Sequence, residues 1–358
     1  MDFDLSDEQK MLGEQARGLL AERTPYDHLR ALIDSGADWD EPLWRELASM
    51  GFLGAAIPEE FGGLGMGALE LAVIQQELGR VNACLPFFSS IVLAADAICL
   101  AGSDAQKAQW LPKLASGEVV ACFASAEGAG PVLGQGVRLE NGTIHGTKHP
   151  VADAGVAGLA VVQVGEQLAL VPLNQPGVTR TKLESFDQLR PHYRLEFDGA
   201  EAALMPGRAV LPTLLDRAAV QAAFEAVGAS EACLAMGLAY VKERQMFGRP
   251  LSSYQAIKHK LADVATSIEI AKSNAYFGGW AADASAEELP AAAAAARLSA
   301  IKAFEMAARE NLQVHGGIGY TFEANCHFYY RRERLLAVHL GHRGPWADRL
   351  INATAKAA

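Results

Sequence analysis

The chain opens and closes with helical periodicity and alternates at period two only in its middle. Ser6-Asp-Glu-Gln9 is a capping box, in which Ser6 accepts from first-turn amides and Gln9 reaches back. Met11, Leu12, Leu19 and Leu20 then make one apolar face, and Trp44, Leu47, Met50 and Leu53 another. Residues 58–67 are a loop by their glycines; no strand precedes them, so their likeness to a dinucleotide-binding fingerprint is set aside. Helices follow over 68–80, over 85–100 (apolar all round, hence buried) and over 106–114. Seven short β-like runs come next, at 119–125, 136–139, 143–146, 158–164, 168–172, 179–182 and 193–197. Turns such as Asn141-Gly142 and Pro176-Gly177 separate them, which predicts a compact β-barrel or sandwich. Helical spacing returns over 214–246, 255–283, 289–313 and 328–340, with Pro290 at a favoured first-turn position. The reading is an α+β chain: an all-α domain over 1–118, a β-domain over 119–207 and a four-helix bundle over 208–358.

Composition narrows the function. Half of the 358 residues are hydrophobic, enough for a sizeable core. The net charge of −11 argues against nucleic acid, yet leaves room for an anionic ligand held by a local arginine. Cys84, Cys99, Cys122, Cys233 and Cys326 lie in apolar contexts with no CxxC pair, which reads as reduced core thiols in a cytosolic protein. The acidic N-terminus lacks a signal pattern, and no apolar run reaches the ~18 residues of a membrane span. The expectation is a cytoplasmic chain without a membrane span.

The candidate chemistry sits where the helical pattern breaks. Arg244 and Arg249 flank Phe247-Gly248, and a pair of guanidinium forks can grip a pyrophosphate. Gln255 follows, and Gln313, Gly316 and Gly317 offer an amide and close backbone approach. Together these residues suit the phosphate and adenosine end of a dinucleotide-sized cofactor. Ser125, ahead of Gly128-Ala-Gly130, offers a hydroxyl beside backbone amides; an ordinary glycine turn explains the same residues. Glu225 and Glu231 sit in an apolar helix. Glu231 reads as solvent-facing or arginine-paired, whereas Glu225, among Ala222, Ala223, Phe224, Ala226 and Val227, is the candidate base. Arg331-Arg332-Glu333-Arg334 reads as a solvated helix face or interface ion pairs. His339 and His342 have no further ligands at metal-binding spacing, so no metal is expected.

The three-part order, together with Arg-x-x-Phe-Gly-Arg-Pro-Leu-x-x-Tyr-Gln-Ala-Ile-Lys-His-Lys-Leu-Ala-Asp at 244–263, resembles the acyl-CoA dehydrogenase family. Gln313-x-His-Gly-Gly-Ile-Gly-Tyr-Thr-Phe-Glu323 resembles its second signature, and Ile57-Pro-Glu-Glu-Phe-Gly-Gly-Leu-Gly65 its N-terminal loop. The resemblance covers essentially the whole chain. It implies FAD, an acyl-CoA thioester substrate and α,β-dehydrogenation, with a glutamate removing the α-proton and electrons leaving to an electron-transfer flavoprotein or similar acceptor. It also implies that Arg244, Phe247, Gln255, Gln313, Gly316 and Gly317 contact the FAD of a neighbouring subunit, in a homo- or hetero-oligomer such as a dimer of dimers.

The chain departs from the family at the positions of chemistry. Leu340 stands where the commonest catalytic glutamate would be, and Ala218 where the family's alternative glutamate lies. The β-domain motif reads Ser125-Ala-Glu-Gly-Ala-Gly-Pro131, with Pro131 in place of a CoA-binding serine. Pro150-Val151-Ala152 replaces the Trp-Ile-Thr that meets the flavin ring. Groups that serve a neighbour's FAD remain, and those that hold the chain's own flavin ring are largely gone. This resembles one subunit of the paired bacterial enzymes acting on steroid or other bulky acyl-CoAs, with Glu225 as fallback base. A non-catalytic structural subunit and a reduced-flavin monooxygenase on the same fold are the alternatives.

Overall fold

A computed structural model describes residues 5–129 and 132–357. In chain order the elements are α1 (Asp7–Arg23), α2 (Tyr26–Ser35), α3 (Glu41–Ser49), α4 (Ala68–Arg80), a π-helical stretch (Phe88–Ala95) continuing into α5 (Asp96–Ala101), and α6 (Asp104–Ala115). Strands β1 (Ala121–Ala124), β2 (Arg138–Glu140), β3 (Thr143–Ala152), β4 (Leu159–Val164), β5 (Gln167–Pro172), β6 (Val178–Leu183), β7 (His192–Glu201) and β8 (Ala203–Leu204) follow. Then come α7 (Leu211–Glu243), β9 (Gln245–Met246), β10 (Arg249–Pro250), α8 (Gln255–Ala284), α9 (Leu289–His315), α10 (Cys326–Leu336) and α11 (Arg343–Ala357). Among the described residues the C-terminal segment thus carries five α-helices where periodicity gave four.

These elements group into two compact units. The sheet unit gathers Asp27–Gly67 and Cys84–Ala218. Of the expected barrel or sandwich, it contains two four-stranded sheets, ordered β1-β4-β5-β8 and β2-β3-β7-β6. β1 pairs with β4 in parallel, and every other pair is antiparallel. β4 is buried on both faces along nearly its whole length and reads as an unbroken apolar run. β7 buries Tyr193, Leu195 and Phe197 and exposes Arg194, Glu196 and Asp198, the alternation of a half-covered strand.

The bundle unit gathers Met1–Tyr26, Ala68–Ala83 and Ala219–Ala358. The expected capping box at Ser6 is present: the hydroxyl accepts from Gln9 N at 3.1 Å, and Ser6 N donates to Gln9 Oε1 at 2.9 Å. Arg17 of α1 makes a two-pronged pair with Glu77 of α4 at 3.0 and 2.8 Å. α4 and α7 cross backbone to backbone. A Cβ on Gly228 would sit 1.8 Å from the Gln76 carbonyl oxygen, and one on Gly79 would sit 2.1 Å from that of Glu225. Only glycine allows that approach. By length and composition α7 is apolar enough to cross a bilayer, but Ala222, Ala223, Phe224 and Val227 are fully buried, as in the core helix of a globular bundle. Cys84, Cys122, Cys233 and Cys326 are buried and Cys99 half-buried, and among the described residues none is in a disulfide.

Candidate functional site

The break after α7 is a β-hairpin. Met246 pairs with Arg249 and Gln245 with Pro250, so Phe247 and Gly248 form a two-residue turn. Their φ angles are 52° and 80°. Two positive φ values in a row mark a type I′ turn, the form whose twist matches a hairpin. Glycine takes this conformation freely; a phenylalanine there is strained by ~1–2 kcal/mol. Phe247 is nevertheless 92% exposed, the largest value among the exposed large hydrophobic residues. The hairpin holds it out: Tyr254 donates its hydroxyl to the Met246 carbonyl at 2.8 Å, Leu251 N donates to the Arg244 carbonyl at 2.8 Å, and the Arg249 guanidinium lies 4.0 Å above the Tyr254 ring. Arg244 itself is exposed and, among the described residues, makes no side-chain ion pair.

The second motif lies against this one. His315, the last residue of α9, stacks on Tyr240 of α7 with ring centroids 4.1 Å apart, and donates from Nδ1 to the Asn311 carbonyl at 2.7 Å. Next to the stacked pair in sequence, Val241 and Val314 form a buried cluster with Leu261, with Leu234, Leu251 and Ile257 packed on it. One apolar knot therefore ties the end of α7, the start of α8 and the end of α9. It places Arg244, Phe247, Gln255, Gln313, Gly316 and Gly317 at one end of the bundle, with both glutamines exposed. Gly316 adopts φ 66° and ψ −143°, a conformation open essentially to glycine. Gly317 has no such need, since a Cβ there would meet nothing within 4 Å and its φ is ordinary. Ile318, Tyr320 and Phe322 continue the surface as exposed apolar side chains.

The sheet unit carries the other predicted contact. Ser125 is buried at the end of β1, and its carbonyl accepts from Lys148 Nζ at 2.9 Å and from Gly134 N at 3.0 Å. Lys148, fully buried, also donates to Glu127 at 2.7 Å, and the Glu127 carboxylate accepts from Gly136 N at 2.7 Å and Val137 N at 3.2 Å. Burial alone would raise the Glu127 carboxyl. The Lys148 ammonium and the two amides outweigh it and hold the group below its usual range. Burial lowers Lys148 against the opposing pull of Glu127. Pro150-Val151-Ala152 lies within β3, with Val151 opposite Tyr193 and Ala152 opposite His192. Gly130 and Pro131 lie outside the described residues.

Glu225, the expected base, lies in the core with both carboxylate oxygens engaged. Its Oε1 pairs with Arg332 at 3.0 Å and its Oε2 accepts from Gln75 at 2.8 Å, all inside the core. Arg332 is likewise no part of a solvated face: it is buried with Phe328, Tyr329, Glu333 and Leu336, one side of α10. The 328–332–336 spacing could have shown this, since it puts Arg332 on the apolar stripe. A second buried guanidinium, Arg297, donates to the Leu336 carbonyl at the end of α10, where the helix dipole favours a cation. Burial brings Arg297 down to about 10, with Glu225 opposing. Glu231 pairs with Arg80, as expected of a structural carboxylate. At the remaining base positions Leu340 and Ala218 are both buried.

Residues 6–118 match the N-terminal domain of acyl-CoA dehydrogenases and residues 206–343 their C-terminal domain. The chain is 31% identical over 327 residues to the acyl-CoA dehydrogenase IpdE2 of Mycobacterium tuberculosis, covering 91% of each. Among solved structures it is similar to the Tcur3481-Tcur3483 steroid ACAD G363A variant, at 30% identity and TM-score 0.91 over 98% of both chains. It is also similar to the ChsE4-ChsE5 complex of Mycobacterium tuberculosis, at 26% identity and TM-score 0.91 over 99% of both chains.

Proposed function

Because the chain belongs to the acyl-CoA dehydrogenase family of FAD-dependent oxidoreductases, we propose that it is one subunit of a heteromeric acyl-CoA dehydrogenase, completing a partner's FAD site with its bundle end and supplying no base itself. The observation that carries this reading is an asymmetry within the bundle unit. At its end, among the described residues, Arg244 makes no ion pair, Phe247 stands out of a strained turn and Gly317 faces open space. At the positions of chemistry, Leu340 has no titratable group and Glu225 is locked to Arg332.

The bundle-end residues fit the pyrophosphate and adenosine portion of FAD, which when bound supplies the hydride acceptor for α,β-dehydrogenation of an acyl-CoA thioester. The Arg244 fork suits a pyrophosphate. Gln255 and Gln313 offer amides, Gly316 and Gly317 let backbone approach closely, and the Phe247 ring offers a stacking face. Ser125 is the one cofactor contact assigned to the sheet unit. The flavin-ring edge fits less well, because Pro150-Val151-Ala152 brings neither an aromatic ring nor a hydroxyl. The base then belongs to the partner, and residues 1–118, 119–207 and 208–358 form the three domains. The likeness to a steroid ACAD supports a bulky, steroid-type acyl-CoA; an electron-transfer flavoprotein as acceptor and the cytoplasm as compartment complete the proposal.

Absorbance of the purified protein tests this. Alone, the chain is expected to carry little flavin; co-expressed with a second acyl-CoA dehydrogenase chain from its genomic neighbourhood, it is expected to retain FAD. Arg244→Ala is expected to strip FAD from the complex without dissociating it. A yellow, active homotetramer would overturn the heteromeric reading. Unchanged FAD in Arg244→Ala and Gln313→Ala would leave a purely structural subunit.

A further inference from the structure

A hollow of about 300 Å³ lies between the end of α7 and the start of α8. That is the lower end of the ~300–1,000 Å³ typical of small-molecule pockets. Its walls are apolar, with Leu234 and Leu238 from α7 and Leu261 and Ala265 from α8. Its cations are confined to one end. Lys242 is in the last turn of α7 and Lys258 in the first turn of α8. α7 runs into the hairpin and α8 runs out of it, so both lysines stand at the hairpin end and both apolar rows lead away from it. No carboxylate lines the hollow, and among the described residues neither ammonium has an ion-pair partner. In a chain of net charge −11 such a pair of lysines is an uncompensated local excess. The amino end of α8, which no side chain caps, adds partial positive charge at the same place.

We propose that this hollow binds an amphipathic anion: a linear alkyl chain ending in a carboxylate. The head lies between Lys242 and Lys258, where a charge-assisted contact is strongest. The tail follows the groove toward Leu234 and Ala265. From Lys258 to Ala265 the helix rises by ~10 Å, about the length of a medium-chain carboxylate. None of the residues assigned to FAD lines the hollow, but Leu234, Val241, Ile257 and Leu261 also belong to the apolar knot behind them, so octanoate binding and FAD content are read separately.

Calorimetric titration of the full-length protein with sodium octanoate, in whatever assembly it purifies, tests the site. Saturable binding of one octanoate per chain is expected, with 1-octanol binding at least ~10-fold more weakly, the equivalent of one lost charged contact. Lys242→Glu with Lys258→Glu is expected to weaken octanoate to the same degree or more. Ala265→Trp, which fills the apolar end from a half-buried position, is expected to abolish binding. The variants are expected to match the parent in melting temperature and FAD content. Non-saturable binding, equal affinity for octanol and octanoate, or binding that survives both variants would overturn the site. So would a change of oligomeric state in the lysine variants, which would mean that a neighbouring chain covers the hollow.

Discussion

Glu225 and Arg332 meet at 3.0 Å inside the bundle unit, each with its side chain 1% exposed. Gln75 from α4 completes the carboxylate at 2.8 Å. The pair therefore joins three helices through one buried charge contact, α4, α7 and α10.

Breaking that pair from one side leaves a buried charge uncompensated. Glu225→Gln is expected to lower stability by about 3–5 kcal/mol, read from urea unfolding. Glu225→Leu together with Arg332→Met is expected to recover most of the loss, because neither charge then remains to be desolvated. Loss of activity in the assembled enzyme at unchanged stability would instead restore Glu225 as a base.

Gly316 and Gly317 are expected to separate backbone need from surface need. Gly316→Ala forces an L-residue to φ 66° and is expected to destabilise the isolated chain by ~1 kcal/mol or more. Gly317→Ala, with open space around its Cβ, is expected to leave the isolated chain within ~0.5 kcal/mol of the parent. In complex with a partner, Gly317→Ala is expected to weaken FAD retention. Equal melting temperatures and equal FAD content for Gly317→Ala would remove it from the half-site.

Phe247→Gly relieves the strained φ and is expected to raise the stability of the free chain by up to ~1 kcal/mol. The same change removes the exposed ring, so FAD retention in the complex is expected to fall. Thermal melts of the free chain beside flavin absorbance of the complex read the two opposing effects.

The Glu127 clasp gives a pH signature. Its carboxyl is depressed in the folded state from an ordinary value of 4.5. Its contribution is therefore present above pH 4.5 and is lost as pH falls through the lower folded-state value. Glu127→Gln is expected to flatten that acid limb of the stability profile. An acid limb identical to the parent's would show that the clasp contributes nothing.

Local signals were legible where they were self-contained. The Ser6 capping box formed as written, and the helix expected over 68–80 is α4, Ala68–Arg80. α11 lies beyond the last periodic run, which ends at 340; its Pro345 sits in the first helical turn, where proline is tolerated. The hairpin at 245–250 was hidden because Met246 and Phe247 extend the apolar rhythm of α7, and a phenylalanine at positive φ has no sequence signature. Glu225 was correctly seen on an apolar face. Its role was illegible because its partner lies 107 residues away, within a run that looks basic and solvated. Charge pairing across helices is a property of packing, and no window of sequence contains it.

The hairpin that carries Phe247 is tied by bonds of its own, from Tyr254 to the Met246 carbonyl and from Arg249 to the Tyr254 ring. Its shape is set before any second chain arrives, so encounter requires no local folding there. On the heteromeric proposal, assembly is expected to proceed at the rate of rigid docking, and faster at low ionic strength where Arg244 and Arg249 are least screened. Tyr254→Phe removes one of the ties and keeps the ring beside Arg249, and in stopped-flow mixing of the separated chains of the proposed heteromer it is expected to slow association more than it speeds dissociation.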